Sequence, residues 1–238
     1  MAMDAKRIFK FLGELTRHND RVWFKAHKEE YLACRANFEA SIQQFIGRLG
    51  AFDPSVASIT AGDCIYRPQR DIRFSTDKSP YKRHISAFVC ERGRKSIRGG
   101  YYIHLECGHS LVAIGTPWLP TNILTACRQD ILGRPEEWRD AVESPKFLKY
   151  FGRPGGAAGD FESMDEKGFG ISYLKTAPKG FDRDSDMLPY LRMKDYVVWQ
   201  RVDDASFDGD GWMDHAEELC RTAQPMMAFI NDVIADYD

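Results

Sequence analysis

The run GYYIHLECGHSLVAIG, Gly100 to Gly115, holds two short segments, GYYIHLE and SLVAIG, rich in aromatic and β-branched residues and divided by a glycine-containing turn. Runs of this length and composition, bounded by turn residues, read as strands. The same character appears in CIYR (Cys64 to Arg67) and HISAFVCE (His84 to Glu91), with ERGRKSIRGG as a charged, glycine-bearing turn before Gly100. These runs predict a mainly antiparallel sheet, to which DYVVWQRV (Asp195 to Val202) adds a last strand.

Outward from the sheet, the periodicity changes. Ile8, Phe11, Leu12 and Leu15 recur at helical spacing, and Asn19-Asp20 breaks the pattern. Tyr31, Phe38, Ile42, Phe45 and Leu49 then line one face of a longer helix that Gly50 stops. Pro120 to Leu132, Pro135 to Val142 and Phe147 to Phe151 read as helices, RPGGAAGD (Arg153 to Asp160) as a loop, and Gly211 to Asp236 as a helix that Pro225 must kink or divide. Helices, then strands, then helices with one late strand predict an α+β fold, and the lack of internal repeats predicts one domain over residues 1–238.

No run of eighteen apolar residues occurs, and Asp4, Lys6, Arg7, Lys10 and Glu14 interrupt the N-terminus where a secretory leader needs an apolar stretch. The expectation is a cytoplasmic protein with no membrane partner. The six cysteines are scattered singly without a C-x-x-C pair, which predicts free, mostly buried thiols.

Charge is distributed unevenly. The chain is formally −2, yet RPQRDIRFSTDKSPYKRH (Arg67 to His84) is net +4 and residues 67 to 98 are net +7, so the remainder sums to −9. A localised positive patch on an acidic chain points to a site for an anion and disfavours a globally basic nucleic-acid coat. Arginine presents a planar fork to phosphate or carboxylate, lysine a point charge, and tyrosine a hydroxyl donor. Arg67, Arg70, Arg73 and Lys78 are thus the candidate contacts, Tyr81 and His104 candidate hydrogen-bonding partners, and Asp71 the candidate orienter of an arginine. The competing explanation is a structural network in which Arg70, Arg73 and Lys78 pair with Asp71, Asp77 and acidic neighbours.

These residues carry a resemblance. R-x-x-R-D-x-R-F followed by D-K-x-x-Y, here Arg67, Arg70, Asp71, Arg73, Phe74, Asp77, Lys78 and Tyr81, resembles the signature of a bacterial family of uncharacterised proteins, domain-of-unknown-function family 2461. HNDRVWFKAHKEEY, GYYIHLECG and LKTAPKGFDRD resemble further segments of that family. AIGTPWLP departs from its G-G-G-x-W-x-P turn, keeping Gly115, Trp118 and Pro120, and Cys107 stands in place of a proline. The resemblance implies a shared α+β fold and a shared pocket, and no known activity.

Three functional classes follow. The preferred one is a binding protein for a phosphorylated or other anionic small molecule, with no cofactor. An enzyme acting on a phosphoester or nucleotide would use the same cations, with Asp71 or His104 as base, and would need Mg²⁺, for which no carboxylate cluster is evident. An interaction protein would meet an acidic partner or nucleic acid through a patch extending over Arg92, Arg94, Lys95 and Arg98. HLECGH (His104 to His109) is the most metal-like stretch, since His104 and Glu106 share a strand face and Cys107 and His109 follow. With no second ligand cluster in the sequence it is read as an accidental H-x-E, and no stoichiometric transition metal is expected.

Overall fold

The computed structural model describes residues 2–155 and 165–237. The loop expected over Arg153 to Asp160 is therefore seen only to Gly155, and its remainder lies outside the described residues. The fold is α+β, as expected: an antiparallel five-stranded sheet with helices before and after it in sequence. The strands are β1 (His84–Val89), β2 (Gly100–Glu106), β3 (Leu111–Thr116), β4 (Lys167–Phe169) and β5 (Tyr196–Arg201), in the order β1-β2-β3-β5-β4. Contacts along the chain divide into two compact units.

The first unit comprises residues up to Arg94, Tyr102–Leu111 and Val202–Glu217. It opens with α1 (Ala5–Arg17), whose first turn is capped by the Asp4 carboxylate accepting from the Arg7 N–H and whose Ile8, Phe11, Leu12 and Leu15 are buried on one face. Asp20 caps the short α2 (Arg21–Ala26) in the same way, accepting from the N–H groups of Val22 and Trp23. The 23-residue α3 (Lys28–Gly50) buries Phe38, Ile42, Phe45 and Leu49. Its far end is tied down by Arg48, which donates to Glu217 and Asp214 at 2.6 Å each.

The segment expected as a first strand behaves differently. Ala61–Cys64 forms a helical turn, α4, and only Ile65 pairs with a strand, through an isolated bridge to Ala87. A turn residue at each side of a four-residue apolar run leaves too little chain for a ladder. The hairpin between β1 and β2 is likewise tied down, since Arg94 donates to the carbonyl oxygen of Asp63 at 2.6 Å.

The second unit comprises Lys95–Tyr101, Val112–Arg201 and the chain from Glu218 onward. The helices α5 (Thr121–Gly133), α6 (Pro135–Val142) and α7 (Pro145–Phe151) follow β3, with proline at the first turn of the latter two. The core centres on Trp138, fully buried, whose ring meets Phe169, Tyr190 of α8 (Leu188–Leu191), Tyr196 and Phe229. The Asp195 carboxylate accepts from the N–H groups of Ile171 (2.8 Å) and Ser172 (2.9 Å), fixing the chain beside β5. Gly115 has φ +117°, and a Cβ there would overlap the carbonyl oxygen of Tyr196. Its freedom from a side chain thus serves strand packing.

The last helix, α9 (Trp212–Ala235), runs through Pro225 as one helix, so of the two outcomes expected at this proline, a kink or a division, division does not occur. All six cysteines are free, and Cys107 alone among them is exposed. No helix among the described residues is long and apolar enough to cross a membrane.

Candidate functional site

The arginine-rich segment folds back on itself within the first unit. The Arg70 N–H donates to the Pro80 carbonyl (2.9 Å) and the Lys82 N–H to that of Pro68 (2.8 Å), with Gln69 bridged to Tyr81. Asp77 makes the turn, accepting from the Ser79 N–H (2.8 Å) and hydroxyl (2.9 Å). These Ser79 bonds, ahead of the Arg70 guanidinium, hold its carboxyl down to about 2. Arg70 sits inside the loop and donates to Asp77 (2.5 Å), to the hydroxyl of Ser79 (2.5 Å) and to that of Ser75 (3.3 Å). Lys78 donates to the Ile72 carbonyl at 3.1 Å.

Arg73 lies outside the loop core. Its guanidinium grips Asp71 at 2.6 and 2.9 Å, both side chains are mostly exposed, and Arg73 holds the Asp71 carboxyl down to about 2. Phe74 beside it is 96% exposed. Tyr81 is turned the other way, stacked on Phe24 with ring centroids 3.9 Å apart. The sequence candidates therefore do not form one cluster: Arg70 and Lys78 hold the loop, Arg73 and Asp71 hold each other on its rim, and Tyr81 packs on α2.

Three cations of the segment remain, of which Arg83 reaches Asp77 at 3.5 Å. Lys82 is half-buried, its ammonium 4.8 Å from the centroid of the Tyr66 ring, and burial followed by the nearby Arg67 charge pushes its pKa down. Neither Arg67 nor Lys82 has an ion-pair partner among the described residues, although the Arg67 charge also reaches Asp71. Lys82 and His84 edge a narrow, mostly apolar cleft with Ile8, Leu12, Leu15 and Pro68.

Beyond Lys82 the chain enters β1, and a polar group forms where β1 and β2 meet. Alternation puts His84 and Ser86 on one face of β1 and Tyr102, His104 and Glu106 on one face of β2. His104 is buried, its Nε2 3.0 Å from Glu106 Oε2 and its Nδ1 2.8 Å from the Tyr102 hydroxyl. The His84 ring lies 4.2 Å from that of His104, and Tyr66 meets Tyr102 edge-on. Burial, and then the neighbouring His104, push His84 down to about 3, so it is neutral near pH 7. Burial raises the Tyr102 phenol well above its ordinary value.

Residues 7–229 match the family described as Conserved hypothetical protein (DUF2461). The chain belongs to this family. No curated protein and no solved structure matches it. Within this DUF2461 chain, segments singled out by their family resemblance meet in the first unit: Asn19 and Phe24 of the HNDRVWF segment both bind Tyr81 of the arginine segment.

Of the residues chosen from sequence, only His104 belongs to the buried polar group. Tyr66, Lys82, His84 and Tyr102 are not among the site residues expected from sequence, and Glu106 enters that reading only through the H-x-E pattern. The H-x-E pattern was visible, but its companion is His84, twenty residues upstream and brought in by strand pairing. Cys107 instead donates its thiol to the Phe9 carbonyl at 3.4 Å.

Proposed function

We propose that the protein binds a small molecule bearing a phosphate or other anionic group, held between Arg67 and Lys82 beside the Tyr66 ring. One observation carries the reading: half-buried Lys82 feels the positive charge of exposed Arg67, and neither has a carboxylate partner within ion-pair distance. A partly desolvated lysine charge with a like charge nearby raises the free energy of the folded chain, and an anion beside it relieves that cost. Arg70 and Arg73 contribute less, because their charges are already met by Asp77 and Asp71.

The test is calorimetric titration with inorganic phosphate, together with thermal melts at rising phosphate concentration. Phosphate raises the midpoint of the parent, since a ligand that binds only the folded form stabilises it. Lys82→Met and Arg67→Met lose the shift, and Arg73→Met keeps it. A parent whose midpoint is indifferent to phosphate while remaining sensitive to ionic strength alone overturns the reading.

A further inference from the structure

We propose that His84, His104 and Glu106 bind one divalent first-row transition cation. Each offers a donor atom, and the three donors lie within 4.8 Å of one another. Donors about 2.0–2.2 Å from a tetrahedral zinc stand roughly 3.3 Å apart, so His104 Nε2 and Glu106 Oε2, at 3.0 Å, are already spaced for a shared cation. His84 has to close by at most about 1.5 Å. It is the half-buried first residue of β1.

Three further features set this group apart from an ordinary buried imidazole paired with a carboxylate. Such a pair accounts for His104 and Glu106 and leaves the second imidazole, 4.2 Å ring to ring, without a purpose. The Tyr102 hydroxyl engages His104 Nδ1 at 2.8 Å, which fixes the ring with Nε2 towards Glu106; metal-bound histidines are oriented by just such a bond from their other nitrogen. The Ser86 hydroxyl, buried beside the Tyr102 phenol, has no partner in hydrogen-bond geometry among the described residues. It can accept the Tyr102 proton when His104 Nδ1 becomes the donor to Tyr102, as it must once Nε2 takes a cation.

The donor set also selects the kind of cation. Glu106 is its single carboxylate, and the positive charges of Lys82 and Arg70 act on His84. A hard cation such as Mg²⁺ or Ca²⁺ needs an oxygen-rich, acidic cage, whereas two imidazoles suit zinc, cobalt or iron. Three protein donors leave a fourth position open to water or a bound anion.

Chelator-treated protein in phosphate-free buffer is titrated with Co²⁺, followed by visible absorption, and with Zn²⁺, followed by calorimetry and thermal melts. The expected result is one cation per chain, cobalt bands that zinc abolishes, a rise in melting temperature with zinc, and no response to Mg²⁺. His84→Ala and the isosteric Glu106→Gln each weaken Zn²⁺ binding by about tenfold or more, while Cys107→Ser and His109→Asn bind as the parent does. Both ligand variants are first shown to be folded by circular dichroism without metal. The proposal is overturned if the parent takes up no stoichiometric Co²⁺ or Zn²⁺, or if His84→Ala and Glu106→Gln bind as tightly as the parent. Omitting phosphate keeps this outcome separate from that of the anion site.

Discussion

Asn19 holds Tyr81 by both atoms of its amide: Nδ2 donates to the Tyr81 carbonyl at 2.9 Å, and Oδ1 accepts from the Tyr81 N–H at 3.0 Å. The side chain thereby stands in for a missing strand neighbour, and it seats the arginine segment just ahead of α2. Asn19→Ala leaves a part-buried donor and acceptor unmet and is expected to cost about 1–2 kcal/mol. Asn19→Asp is expected to cost at least as much, because one carboxylate oxygen then faces the Tyr81 carbonyl. Urea unfolding of both variants checks this, and an Asn19→Asp protein as stable as the parent would contradict the two-bond geometry.

Arg70 and Arg73 are three residues apart and differ in what their removal does. Arg70 is surrounded by Asp77, Ser75 and Ser79 and is expected to lower the melting midpoint by several degrees when changed to Met, at roughly 2–4 °C per kcal/mol for a chain of this size. Arg73 pairs with Asp71 in the open, where solvent screens the pair, so Arg73→Met is expected to leave the midpoint unchanged. Melting curves of the two variants side by side decide the matter; equal losses would place Arg73 inside the loop's framework.

The sign of the pH dependence follows from His84. Its pKa falls from about 6.5 in the unfolded chain to about 3 in the folded one, because burial and His104 disfavour its charged form. Between these values the unfolded chain binds the proton and the folded chain does not, so the His84 contribution is complete above pH 6.5 and is lost as pH falls towards 3. Asp195 acts in the opposite direction: burial raises it to about 6, against the pull of the Ile171 and Ser172 N–H groups, so it favours the folded chain more as pH falls from 6 towards 3.8. Asp71 and Asp77, both held near 2, lose their contribution only below about 3.8. His84→Gln is expected to remove about 1–2 kcal/mol of the loss between pH 7 and pH 5. Chelator-treated parent and variant unfolded in urea at both pH values give that difference directly, and parallel pH profiles would refute it.

How much of this could be read from residues alone depended on the range of the interactions involved. Ile8, Phe11, Leu12 and Leu15 announce α1 because one turn of helix sets their spacing, and GYYIHLE and SLVAIG announce β2 and β3 because their composition is local. β4 escaped notice because Lys167–Phe169 is three residues long with glycine at its centre, and its pairing with β5 comes from elsewhere in the chain. CIYR misled because apolar content was taken for strand where Ala61–Cys64 closes a helical turn. At the site, counting arginines located the positively charged segment without showing which charges Asp71 and Asp77 would absorb. His84 was invisible as a partner of His104 because nothing short of the pairing of β1 with β2 joins them.

The edge pairing of β4 with β5 offers a last test. Gly168 lies opposite Trp199, and a Cβ at Gly168 would land within the indole ring. The ring cannot easily give way, since Trp199 is buried and its Nε1 donates to the Asp165 carbonyl at 3.0 Å. Gly168→Ala must therefore displace β4 or break that hydrogen bond, and overpacking of this kind costs about 1–3 kcal/mol. The loss is expected to appear as a lower unfolding midpoint with a shift in tryptophan emission towards the solvated value. Trp199→Leu removes the ring that the new methyl group would meet, so in that background Gly168→Ala is expected to cost much less. A double-mutant cycle measures the coupling between the two positions, and purely additive losses would show that the indole is not what makes the added methyl group costly.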